Sequence, residues 1–290
     1  MVKRGQIRIF DIVNFLLLAF VAFASLFPFI HMASVALSSP DYVVRNEVGL
    51  WPKGFQWDAF SAAIGDKRLW IGYRNTLMYL ILGSCISMTL TIMGAYALSR
   101  KSLIFGKSVM LIIVFTIMFN GGMIPFYLAM KSYGLMDTIW AMVLPSAINT
   151  YNLIIMRTFF QGLPVEIEES GRIDGLSDFG LLPSIIIPLS KPVLMTVGLF
   201  YAVEIWNSFS AALLLLRDPN LFPLQLMIRN LVVVGQSGDV LETSAASGKT
   251  VVLESLKYAL ILLGSLPIIM VYPFIQKHFE QGALIGSVKG

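Results

Sequence analysis

The chain has 290 residues, 57% of them hydrophobic and 13% charged, with a formal net charge of +4 at pH 7. Soluble proteins average about 45–50% apolar and about 25% charged, and a soluble fold of this length still needs polar surface to face water. The composition therefore excludes an ordinary soluble domain and predicts an all-α, polytopic membrane protein. No basic stripe with interleaved aromatics suggests nucleic acid, and a single cysteine, Cys85, rules out an internal disulfide framework and a cysteine-based metal cage.

Six apolar runs are long enough to span a bilayer, for which about 20 helical residues are needed. They are predicted at 12–37, 74–98, 108–130, 138–160, 192–216 and 258–277. The first follows Lys3, Arg4 and Arg8, and Ala22-Phe23-Ala24 has the look of a leader cleavage triplet. The apolar run continues to Leu37, however, so a retained helix is predicted. A long segment, 38–73, follows and carries Trp51, Pro52, Trp57 and Trp70. The connection between the second and third runs is short and basic, with Arg100, Lys101 and Lys107. A polar loop covers 161–191, and a second long segment covers 217–257.

Orientation rests on the distribution of Lys and Arg, weighted towards short loops. With the N-terminus inside, eleven of the 21 basic residues fall on the inner side. The other ten gather mainly in the two long outer segments, which the rule weighs little. Both termini and loop 161–191 are thus predicted to be cytoplasmic, with 38–73 and 217–257 external. The whole chain, 1–290, reads as one transmembrane domain.

No catalytic constellation is evident. The two histidines, His31 and His278, are not at ligand spacing, so no zinc site is expected. Gly106-Lys107-Ser108 and Gly248-Lys249-Thr250 resemble the ends of phosphate loops. The glycine such a loop needs five positions earlier is Lys101 in one case and Thr243 in the other.

The polar loop has helix punctuation. Pro164 suits a first helical turn, and Glu166, Glu168 and Glu169 suit the positive end of a helix dipole. Gly175 suits the left-handed residue that ends it. Ser170 and Gly171 leave a nearly bare backbone patch, which another surface could approach closely. The residues alone fit either a helix docking on a soluble partner or a solvated connector. Within the fifth run, Glu204 is a carboxylate at predicted membrane depth, where a charge costs roughly 2.5–3.5 kcal/mol. Tyr201 and Asn207 are three residues to either side, near the same helical face. Asn149, Tyr151 and Asn152 form a second polar cluster in the fourth run. Both clusters could line a solute pathway or simply order helix packing.

The order Glu169-Ser170-Gly171-Arg172-Ile173-Asp174-Gly175, then nine residues, then Ile185-Ile186-Ile187-Pro188 resembles the EAA loop of bacterial ABC-importer permeases. The family pattern is Glu-Ala-Ala, three residues, Gly, nine residues, Ile-x-Leu-Pro. Here Ser170 and Gly171 stand where the alanines would be, and Ile187 replaces leucine. Ala95-Tyr96-Ala97-Leu98-Ser99-Arg100, Pro188-Leu189-Ser190-Lys191-Pro192 and Trp206-Asn207-Ser208-Phe209 are similar to the maltose-permease-like carbohydrate branch. Phe119 to Pro125 and Ile155 to Phe160 look like its sub-branch for complex oligosaccharides and polysaccharide fragments such as alginate.

The resemblance implies a six-helix, MetI-like (type I importer) permease in a bacterial cytoplasmic (inner) membrane. Its partners would be a second, non-identical permease, a dimer of ATP-binding subunits, an external solute-binding protein and a carbohydrate. This chain would be no enzyme and would bind no cofactor, with ATP and Mg held by the partner ATPase. Glu169, Ser170, Gly171, Asp174 and Gly175 would form the ATPase-coupling region, and residues 235–250 would project towards the binding protein. At Glu204 the family pattern often has glycine, so the resemblance adds nothing to that site. The alternatives are an ABC permease for a non-sugar solute, or a secondary transporter. The absence of a visible internal repeat argues against the latter.

Overall fold

The computed structural model describes residues 9–100, 102–119, 121–233 and 253–287, with side chains up to residue 271. Every regular element among them is helical, as lipid demands of a chain that must satisfy its own backbone hydrogen bonds. In chain order the helices are α1 Ile9–Ala36, α2 Pro40–Val44, α3 Asp58–Gly65, α4 Lys67–Ser99, α5 Gly106–Met118, α6 Met123–Ser132, α7 Trp140–Val143 and α8 Thr150–Gln161. Then follow α9 Val165–Ile173, α10 Asp178–Leu181, a π-helical turn Leu182–Ile186, α11 Ile187–Leu189, α12 Lys191–Trp206, α13 Ser210–Leu215, a 3₁₀ turn Pro219–Leu221, α14 Leu224–Val233 and α15 Leu253–Ser287.

The six predicted spans are not six unbroken helices. Among the described residues, α1, α4 and the stretch Leu253–Val271 of α15 are each long and apolar enough to cross a membrane alone. Two further pairs pass the same test only when taken together, α5 with α6 bent by 115° and Asp178–Leu189 with α12 bent by 87°, so the number is at most five by length and composition. The predicted helix 138–160 is interrupted between α7 and α8. Pro145 has no N–H to donate there, and Asn149 caps α8 by accepting from the backbone N–H groups of Tyr151 and Asn152. The predicted helix 108–130 breaks at Gly122, whose φ of +84° only glycine adopts readily. Helix α4 starts seven residues before its predicted position, because Lys67, Arg68 and Arg74 depress hydropathy without disfavouring helix.

The chain divides into two compact units, 1–69 with 228–266, and 70–227 with 267–290. In the first, no residue of α1 from Ile9 to Ile30 is buried within the chain. Its end is anchored by the following segment. Ser34 Oγ donates to Leu50 O at 2.6 Å, Ser38 Oγ accepts from Lys53 N at 3.0 Å, and Gln56 N donates to Leu37 O at 2.9 Å. Val35, Val43 and Val48 form a small core with Tyr258 of α15.

The second unit has two cores, both built on α4. One gathers Tyr79 with Ala141, Met142, Val143, Ile205, Ala212, Leu215 and Leu226. The other gathers Ala95 and Tyr96 with Leu153, Met156, Phe160, Ile186, Val193, Val197 and Tyr201. Helix α4 is therefore the strut of the unit. At its N-terminal end Asn75, fully buried, donates through Nδ2 to Asn220 O at 2.6 Å and Phe222 O at 3.0 Å. Tyr79 Oη donates to Leu221 O at 2.6 Å, and Thr76 Oγ1 accepts from Leu224 N at 2.8 Å. These four side-chain bonds fix residues 220–224 on α4.

Asp137 holds the chain just before this segment. Its carboxylate accepts from the backbone N–H groups of Asp218 and Arg217, each at 2.9 Å, and these bonds hold its pKa below the ordinary carboxylate value of 3.8. A depressed folded value means that the contribution of these bonds is complete above 3.8 and is lost as pH falls through the folded value. Amide hydrogen exchange at Arg217 and Asp218, corrected for its intrinsic pH dependence, is expected to accelerate only below the ordinary carboxylate range. Asp137→Asn should show that faster exchange at every pH.

Candidate functional site: a docking loop and a polar cluster

The loop after α8 has two limbs that fold back on each other. The first limb is α9, which opens on Pro164 and closes at Gly175 with φ +84°. Leu176 N donates to Gly171 O at 3.0 Å and Gly175 N to Arg172 O at 3.1 Å, which terminates the helix. The second limb is α10, capped by Ser177 accepting from Gly180 N, continued by the π turn and α11. The second limb meets α12 at 87°, the bend falling between Leu189 and Lys191.

Gly171 is buried between the limbs. A Cβ there would lie 2.5 Å from Leu181 Cδ2 and 2.7 Å from Ile185 Cδ1. The close approach that glycine permits at this position is thus made by the loop's own second limb. Of the expected bare patch at Ser170 and Gly171, the Gly171 half is therefore covered by the loop itself. Ser170 is exposed, but its hydroxyl is bonded to Ile167 O at 2.9 Å. Glu169, Asp174 and Gly175 are exposed, and Ile173 beside them is 86% exposed. The outward face of α9 therefore mixes carboxylates with an uncovered apolar side chain.

Glu168, one position before Glu169, points the other way. It is ion-paired to Arg100 just beyond α4, and both side chains are largely buried. The Arg100 guanidinium stacks 3.9 Å over the Tyr96 ring, and Tyr96 Oη donates to Asp178 O at 3.2 Å. Arg172 pairs with Asp178 at 2.8 Å across the two limbs. The sequence reading missed Arg100 and Glu168 as a pair. The available signal was an arginine closing an apolar helix, five helices upstream of an acidic one.

The two predicted polar clusters come together. Asn149 Nδ2 donates to Glu204 Oε2 at 3.3 Å, while its Oδ1 caps α8. Glu204 itself is exposed on α12 within this chain. Asn207 is exposed, and its Nδ2 donates to Val203 O at 2.8 Å. Tyr151 is 63% exposed, whereas Asn152 is buried. Tyr201 is fully buried, against the expectation that it shares an accessible face with Glu204. Its hydroxyl meets Thr91 Oγ1 at 2.7 Å and accepts from Asn149 N at 2.9 Å. It is a packing residue that joins α4, α8 and α12. Tyr201→Phe should strand the Asn149 N–H and lower stability by about 1–3 kcal/mol. The check is thermal unfolding of the purified protein.

Among the described residues no group of three or more metal-ligating side chains occurs. His31 is hydrogen-bonded through Nδ1 to Gly49 O at 3.0 Å. The expected projection at 235–250 lies outside the described residues.

Residues 69–284 match the family of binding-protein-dependent transport system inner membrane components. The chain is 40% identical over 285 residues to the polygalacturonan/rhamnogalacturonan transport system permease protein YtcP of Bacillus subtilis (strain 168), covering 98% of this chain and 99% of that one. It is 38% identical over 288 residues to protein LplC of the same organism, covering 98% and 96%. Among solved structures it resembles a chain of a bacterial ABC transporter involved in import of the acidic polysaccharide alginate. There the TM-score is 0.90 at 34% identity, covering 96% of this chain and 100% of that one. The helical fold, the match over most of the chain and the relatives agree: the chain belongs to the binding-protein-dependent transport system inner membrane components, as a multi-pass, non-enzymatic permease subunit of an ABC importer whose ATPase is a separate subunit.

Proposed function

We propose that this permease carries an oligosaccharide or polysaccharide fragment through a bacterial inner membrane as half of a heteromeric pathway. The supporting observation is the full-length similarity to YtcP, whose name assigns it polygalacturonan and rhamnogalacturonan, together with the similarity to the alginate importer. The partner would be a second, non-identical permease. Both termini and the α9–α11 loop would face the cytoplasm, where the ATPase dimer sits, and 217–257 would face the external binding protein. The whole chain forms one transmembrane domain in this reading.

The outward face of α9 would seat in the ATPase. Glu169 and Asp174 offer carboxylates to basic or amide partners, and Ile173 offers an apolar anchor. Gly175 sets the turn, and Gly171 shapes the loop by letting the second limb close on the first. Ser170 lies on the same exposed rim. Glu204, Asn149, Asn207 and Tyr151 would border the solute pathway, since a carboxylate and amides can hydrogen-bond sugar hydroxyls. Asn152 and Tyr201 support that site from behind.

Titrating the cognate binding protein with a panel of neutral and acidic oligosaccharides tests the substrate class. Tight binding of one sugar, followed by ATP-dependent uptake of that sugar in proteoliposomes, is the expected result. Binding confined to amino acids or peptides would sink the carbohydrate reading.

A further inference from the structure

The pairing of Arg100 with Glu168 has a role beyond packing. We infer that Arg100 is a positioning residue that locks the α9 loop to α4, so that loop and helix move as one body when the ATPase moves. The inference rests on the coupling reading of that loop and adds the route by which motion leaves it.

Adjacent residues on a helix point about 100° apart, so Glu169 can face outward while Glu168 faces Arg100. The Arg100 and Glu168 side chains are only 14% and 19% exposed, a depth at which an ion pair is poorly screened by salt. Nε and Nη2 of Arg100 are buried without a hydrogen-bond partner among the described residues, so its polar grip on the loop runs through Nη1 alone. Tyr96 adds the second point of attachment, with its ring under the guanidinium and its hydroxyl on Asp178 O. Arg157 Nε, donating to Leu98 O at 2.9 Å, ties α8 to the same end of α4. The loop is thus held to a helix whose far end carries Asn75 and Tyr79, and not only to α12, which follows it in sequence.

The test uses the complete importer, this chain with its partner subunits, in lipid nanodiscs. Cys85 is the chain's one cysteine and is exposed on α4, so it carries one spin label. Glu166→Cys, exposed at the start of α9, carries the second, the other subunits being cysteine-free. The distance between them is measured without nucleotide and after trapping with MgATP and vanadate. One unchanged distance in both states is expected for the chain with its native pair. Arg100→Met and Glu168→Gln should lose that constancy while ATP hydrolysis continues. Combining Arg100→Glu with Glu168→Arg should restore it, which loss of packing alone would not allow.

A distance that shifts on trapping with the native pair intact, which needs no destabilising variant, would overturn the inference. So would a constant distance in Arg100→Met. A photo-crosslinker at Ile173 separates this from the underlying reading. If it never labels the ATPase, the coupling role of the loop fails; if it labels the ATPase while the distance shifts, only the lock fails.

Discussion

Glu169→Lys is expected to abolish uptake while leaving the importer assembled. The side chain is exposed on the outward face of α9 and has no structural duty like that of Glu168. Its reversal therefore leaves the loop's internal bonds intact: Gly175 still closes α9, Ser177 still caps α10, and Arg172 still pairs with Asp178. What changes is the sign of the charge that, in the proposed docking, α9 offers to the ATPase. Truncating one partner of a charge pair that is buried at an interface costs 2 kcal/mol or more, and reversing it adds repulsion. Uptake in proteoliposomes measures the loss, and co-purification of the ATPase measures assembly. Uptake at the native rate would remove Glu169 from the coupling surface. Glu168→Lys should behave differently, because it places two buried cations together and unseats the loop from α4.

Asn75→Ala should be the most damaging single truncation at the other end of the unit. The amide is fully buried and donates to two carbonyls, those of Asn220 and Phe222. Alanine has no donor to offer. A stranded buried polar group costs about 1–3 kcal/mol, and here two carbonyls lose a shared partner. Arg74 Nη2 reaches Asn220 O only at 3.5 Å and offers little compensation. A fall in the unfolding temperature of the purified protein is expected, with hydrogen exchange rising at 220–224 before anywhere else. Asn75→Asp should not rescue, since an ionised carboxylate only accepts.

Much of this architecture is legible in the sequence, and the illegible parts share one cause. Apolar runs of about 20 residues reveal where helices lie, because a helix satisfies its backbone hydrogen bonds in lipid within a single segment. Gly175 announced the end of α9 because a positive φ leaves few other choices. Breaks inside a span were harder. Hydropathy averages over the region of Pro145 and Asn149, although a proline and a capping residue stand there. The start of α4 was hidden for the converse reason, its first turns being too polar for a membrane window yet fully helical. What each of Gly171, Tyr201 and Glu168 packs against was not legible at all. Gly171 is covered by Leu181 and Ile185 of the loop's second limb, while Tyr201 and Glu168 are fixed by Thr91 and Arg100, far away along the chain.

The bonds at the head of α4 also set a timetable for biogenesis. Asn75 finds its acceptor 145 residues further on. At about 5–20 residues per second, ribosomal synthesis separates the two by roughly 7–30 seconds. For that interval α4 is made but the polar groups of Asn75, Thr76 and Tyr79 lack their final partners. A newborn α4 must keep that end in water or among headgroups, or against an insertion factor, and can settle only when residues 220–224 emerge. A chain stalled before residue 220 would therefore leave these three polar side chains without the partners they have in the finished fold.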